Sequence, residues 1–114
     1  MIDGIYSMTF RGATSWGVGM MVLLRGKVSG ADAGGVVYDG QYSETTTELI
    51  LDVTMRVPPG GLLVQGTPAR ATAYDVPFKT SIPKNAIDQA LPVLVQLPPG
   101  PVNVIVRLLR QLSD

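Results

Sequence analysis

Glycine and proline cut this chain into short runs of β-type residues, with 13 glycines and nine prolines among 114 residues. Punctuation of that density disfavours long helices and points to strands joined by tight turns. Ile5 to Phe10 reads as a first strand, with Tyr6, Met8 and Phe10 on one face and Ser7 and Thr9 on the other. Gly17 to Arg25 is a second, with Val18, Met20, Val22 and Leu24 in one row and Gly19, Met21 and Leu23 in the other. Both rows are largely apolar, so both faces are expected to be covered. Gly17 and Gly19 mark a bulge, a sharp coil or the close approach of another backbone.

Further along, Arg25-Gly26-Lys27 is a natural hairpin turn, and a short strand follows around Lys27 to Ser29. After the loop from Gly30 to Gly35, Val36 to Tyr38 is a fourth strand. Asp39-Gly40 is then expected to be a two-residue hairpin turn, with Gln41 to Ser43 as its return strand, because such pairs adopt positive φ readily. Thr47 to Val57 alternates most clearly: Leu49, Leu51, Val53, Met55 and Val57 form one row. Pro58-Pro59-Gly60 suits a type II turn with Pro59 and Gly60 at its centre. Leu62 to Gln65 is expected to be a short strand, and Thr72 to Ile82 a longer one that Pro77 pushes to a sheet edge. Pro83 to Ala90 is the one good helix candidate, with Ala86, Ile87 and Ala90 sharing a face and Pro92 ending it. Val93 to Leu97 and Val102 to Leu109 complete the set.

Eight or so strands with one late helix define an all-β fold. Closure into an antiparallel up-and-down barrel, lipocalin-like in outline, is the expected way to manage the sheet edges, since the chain proceeds mostly by short hairpins. One domain covering residues 1–114 fits this length.

Composition narrows the chemistry. There is no histidine and no cysteine, which removes Ser-His-Asp catalysis, thiolate chemistry and nitrogen or sulfur metal sites together. The nine acids follow no calcium-loop spacing, and neither Gly12 to Gly19 nor Gly30 to Gly35 matches a phosphate-binding loop leading into a helix. An enzyme here would have to lean on Asp, Glu, Tyr or Lys. The expectation is therefore a non-enzymatic module with no cofactor and no metal. Lys+Arg and Asp+Glu each total nine, with no basic run, so neither nucleic acid nor a membrane surface is an expected partner. No basic and apolar leader is visible at the start of the chain, and a cytoplasmic location is expected.

Binding is where the remaining signals point. Charged residues make up only 16% of the chain, so some apolar surface is expected in a cavity or a subunit interface. Tyr6, Met8 and Phe10 are placed on the barrel interior, with Met20, Val22, Met55, Val104 and Val106 as further candidates. A small barrel either fills that space with side chains or holds a small ligand. Trp16, the single tryptophan, caps the barrel, packs as core or anchors a partner. Arg107 on the last strand is a candidate to stack on Tyr6 of the first and so latch the barrel shut.

Asp3-Gly4-Ile5-Tyr6-Ser7 followed by Phe10 resembles the opening of the GrlR-type family, negative regulators of type III secretion gene expression in bacteria. The likeness continues through Gly17-Val18-Gly19-Met20, Gly26, Gly30, Asp32, Tyr38 and Gly40, and resumes at Ile82-Pro83-Lys84. The resemblance implies a homodimer of small lipocalin-like barrels with an apolar interior, binding a transcriptional activator protein and blocking its action on DNA. An acidic surface loop is implicated in that contact. Here the matching stretch is 43–48, where Glu44 and Glu48 are acidic and threonines stand between them. The alternative is a carrier or sensor of a small apolar ligand. The candidate binding residues are thus Tyr6, Met8, Phe10, Trp16, Met20, Met55, Glu44 and Glu48.

Overall fold

Alternation of side chains along each strand, repeated around one continuous sheet, builds this structure. The computed structural model describes residues 3–98 and 100–112. Its strands are β1 (Gly4–Arg11), β2 (Trp16–Leu24), β3 (Lys27–Asp32), β4 (Val37–Glu44), β5 (Glu48–Val57), β6 (Tyr74–Pro83), β7 (Val93–Leu97) and β8 (Gly100–Gln111), with the helix α1 (Lys84–Asp88) between β6 and β7. They form one antiparallel sheet in the order β6-β5-β4-β3-β2-β1-β8-β7, curled into a nearly closed barrel. Every ladder but one joins strands that follow each other in the chain. The exception, β1 with β8, brings the two ends of the described chain together. The edge strands β6 and β7 lie either side of the seam, with α1 connecting them. Pro77 sits on edge strand β6, where its missing donor costs no interior ladder bond.

Several turns follow directly from local chemistry. Arg25 and Gly26 both take positive φ, 51° and 81°, and join β2 to β3 as a two-residue hairpin. Gly61 N–H donates to the Pro58 carbonyl at 2.9 Å, with Gly60 at φ 73°, as a Pro-Gly type II turn requires.

Asp39-Gly40, by contrast, makes no turn. β4 runs straight through it, pairing Asp39 with Ser29 and Thr54, and Gly40 with Val28 and Val53. The glycine answers to crowding: a Cβ there would come within 2.7 Å of the Val53 Cα. The actual β3–β4 turn lies just before β4, around Ala33 to Val36, so β3 reaches Asp32 rather than stopping near Ser29. Leu62 to Gln65 is not a strand either. It belongs to the long 58–73 loop, and Leu63 is buried from that loop. The helix begins one residue later than expected, with Pro83 as its N-cap.

The register decides what faces inward. On β1 and β2, Tyr6 pairs with Met21, Met8 with Gly19 and Phe10 with Gly17. The interior row of β2 is therefore Gly17, Gly19, Met21 and Leu23. Met20 and Val22 face outward, opposite Ser7 and Ile5, which corrects their placement inside. The bulkier row lies outside because the inner side must leave room for the Phe10 ring and for Asp32: a Cβ on Gly17 would fall 2.6 Å from Phe10 Cε2, and one on Gly19 2.9 Å from Asp32 Cβ. The proposed latch fails on the same logic. Tyr6 pairs with Leu108 and is buried, whereas Arg107 pairs with Ser7 on the outer face and is exposed.

Core packing concentrates towards the α1 end, where Tyr6, Leu23, Leu49, Ile82, Ile87 and Val106 belong to one cluster. Ala86 and Ile87 are the buried face of α1. A second cluster, Val36, Met55, Val57, Leu63 and Val76, packs under the 58–73 loop.

Candidate functional site

The barrel is not filled. An apolar cavity of about 360 Å³ occupies its interior, within the roughly 300–1,000 Å³ of small-molecule sites. Protein interiors close-pack with few voids larger than a water molecule, so a space of this size is a departure from an ordinary core. Met8 and Phe10 of β1, Val53 and Met55 of β5, Phe78 of β6 and Val104 of β8 are among its walls. Methionine side chains adapt well to varied apolar shapes, and aromatic rings supply large apolar contact area.

The cavity reaches the barrel end opposite α1. Its lining there includes Ser15, Trp16, Ala33 and Gly34, all exposed to solvent, so the space communicates with water at that rim. Trp16, 66% exposed, stands at the mouth rather than in the core. Residues 62–65 of the long loop run across the same end. The loop is tied to the β1–β2 turn by Thr14, whose N–H and hydroxyl both donate to the Val64 carbonyl at 3.1 Å. A Cβ on Gly12 would run into that same carbonyl, so the loop lies tightly on the turn.

One charged residue lines the cavity among the described residues: Asp32, at the end of β3. Its Oδ1 accepts the N–H groups of Gly34 at 2.9 Å and Val36 at 3.1 Å, and its Oδ2 accepts the Tyr38 hydroxyl at 2.6 Å. The backbone bonds make Asp32 the organiser of the β3–β4 turn, a familiar aspartate role. Burial first, and then the bond to Asp32, push the Tyr38 hydroxyl well above the usual tyrosine range.

The sequence-derived candidates therefore separate. Met8, Phe10, Met55 and Trp16 line the cavity, and so do Val104 and Val106. Tyr6 does not; it is packed core beside α1, 1% exposed. Met20 is on the outer wall, 49% exposed. Glu44 and Glu48 are at the far end, engaged with β6 and α1: Lys84 Nζ lies 3.4 Å from Glu44 Oε2, and Ser81 Oγ donates to Glu48 Oε2 at 3.2 Å. The Asp32–Tyr38 pair is absent from the sequence-derived candidates, because an aspartate two residues before a glycine pair signals a turn rather than a site.

Outside the barrel, Val18, Met20 and Leu24 of β2 and Val37 of β4 are all exposed apolar side chains. Met20 pairs with Ala31, which pairs in turn with Val37, so Met20 and Val37 lie on one outer strip across β2, β3 and β4, with Val18, which also borders the cavity, in the Met20 row of β2. Among the described residues no cluster of three His, Cys, Asp or Glu side chains could hold a metal ion, and no helix is long and apolar enough to cross a membrane.

Fold and site together define a small antiparallel β-barrel with an apolar, loop-covered interior space. No protein-family model, no curated protein and no solved structure matches the chain.

Proposed function

We propose that this protein is a non-enzymatic binding module that takes a small apolar ligand into its barrel, as a carrier or sensor. The observation that carries this reading is the apolar cavity of about 360 Å³, open at the rim where Trp16 stands. The test is titration with N-phenyl-1-naphthylamine, a neutral apolar fluorophore, alongside native mass spectrometry of the protein as purified. Saturable binding that is lost in Val104→Phe, which fills the cavity from its wall, is the expected result. A protein that purifies free of ligand and takes up no fluorophore overturns the reading.

A second reading has its own support. The exposed outer strip of Met20 and Val37, with Val18 in the Met20 row, suits a protein contact. It fits a homodimeric regulator of the GrlR type that binds a partner activator, Glu44 and Glu48 being the two acids of the stretch that matches that family's acidic loop. Met20→Asp tests the homodimer without touching the core: sedimentation would show dimers for the parent chain and monomers for the variant. Monomers for both chains at micromolar concentration would sink it.

A further inference from the structure

We infer that the cavity selects its occupant by the sign of its head group, taking an apolar molecule with a hydrogen-bond-donating head, an ammonium best and a hydroxyl next, and rejecting carboxylates. This rests on the ligand-binding reading above and adds the ligand's chemical class.

The charge inside the barrel carries the argument. Asp32 is the one charged side chain in the lining among the described residues. Its carboxylate is held by two backbone N–H groups and one phenol, all of them neutral donors. No lysine or arginine pairs with it among the described residues. A carboxylate without a counter-cation beside an apolar cavity repels a second anion and attracts a cation. Both effects persist at the half-buried rim, where the surroundings are less polar than bulk water.

Hydrogen-bond capacity gives the same direction. An ionised carboxylate has about four acceptor positions, and three are used, two on Oδ1 and one on Oδ2. The vacant one is on Oδ2, beside the Tyr38 oxygen, which has donated its only proton. What remains on offer from this pair is acceptors, so the matching head must donate. Ser15, Gln65 and Thr80 also line the space, but they donate and accept alike and set no sign.

Position adds polarity along the axis. Asp32 stands next to Ala33 and Gly34 at the rim, while Met21, Leu51, Ile82 and Val106 line the cavity further towards α1. A single-chain amphiphile would enter tail first and leave its head at the Asp32–Tyr38 pair. Gly19 pairs with Asp32, and a side chain there would meet the Ala31 carbonyl as well as Asp32 Cβ.

Competition against N-phenyl-1-naphthylamine by three molecules of equal tail length tests this: decylamine, 1-decanol and decanoate, at neutral pH on the full chain. The expected order places decylamine first, with decanoate weaker by about ten-fold or more. Asp32→Asn, which keeps an acceptor for the turn, should bring decylamine and decanoate to within a few-fold of each other. Decanoate competing as well as decanol in the parent protein would overturn the selectivity while leaving the cavity reading in place. Failure of the fluorophore itself to bind would remove the cavity reading, and the selectivity with it. Should the variant misfold, the parent series alone still decides.

Discussion

The ring of Phe10 lies directly over Gly17, so closely that a Cβ on the glycine would sit 2.6 Å from the ring edge. Gly40 is bare for a different reason, because the β5 backbone passes it at Val53. Overpacking costs about 1–3 kcal/mol and sometimes more, and the two positions should fall at opposite ends of that range. Gly17→Ala can be relieved by swinging the Phe10 ring into the cavity, for about 1 kcal/mol. Gly40→Ala must part β4 from β5, for about 3 kcal/mol or more. Urea unfolding of both variants measures the difference, and equal costs would contradict this account of the two glycines.

Trp16 is the single tryptophan and lines the cavity mouth while 66% exposed. Its emission should be that of a solvated indole in the free protein. It should shift to the blue when an apolar ligand fills the mouth, giving a label-free binding signal. Unchanged emission during a titration that saturates by another readout would place the ligand away from this rim.

Burial pushes the Tyr6 hydroxyl up to about 12 from 10.0, and burial with the Asp32 bond raises Tyr38 as well. A raised tyrosine keeps its proton in the folded state after the unfolded chain has lost it. Its stabilising contribution is therefore complete below about pH 10 and declines as pH rises through the folded value. Most of the Tyr6 contribution is expected to be lost by pH 12. Absorbance titration of the tyrosinate band, run beside circular dichroism, should show late ionisation of these two groups, accompanied by unfolding.

Asp3 behaves in the opposite sense. The Tyr42 hydroxyl donates to one carboxylate oxygen, and Arg25 N–H donates to the other at 3.2 Å. These bonds, the phenol's first, hold its carboxyl below the usual value of 3.8. The resulting stabilisation is present above that value and is lost as pH falls through the lower folded one. In Tyr42→Phe the Asp3 carboxyl should titrate closer to its ordinary range, read by NMR of the carboxyl carbon. The acid-side loss of stability should shrink with it.

Much of this architecture was legible from local chemistry. The Arg25-Gly26 hairpin, the Pro59-Gly60 turn, the alternation of Leu49 to Val57, the edge placement of Pro77 and the grouping of Tyr6, Met8 and Phe10 on one face all follow from rules that act within a few residues. Those rules depend on φ preferences, missing donors and a period of two, which neighbouring residues alone determine. Other features depended on what lies across the sheet. The rows of β2 were equally apolar on paper, and the inner one was chosen by the Phe10 ring and Asp32, which need the empty space over Gly17 and Gly19. Asp39-Gly40 reads as a turn until Val53 is seen to require the bare Cα. The cavity, and the single carboxylate at its rim, arise from how much volume eight strands enclose and how little of it the side chains fill. Short antiparallel strands joined by tight turns were written into the order of the residues. Which faces turned inward, and that a space remained between them, came from the nearly closed sheet, because enclosure is a property of all the strands together.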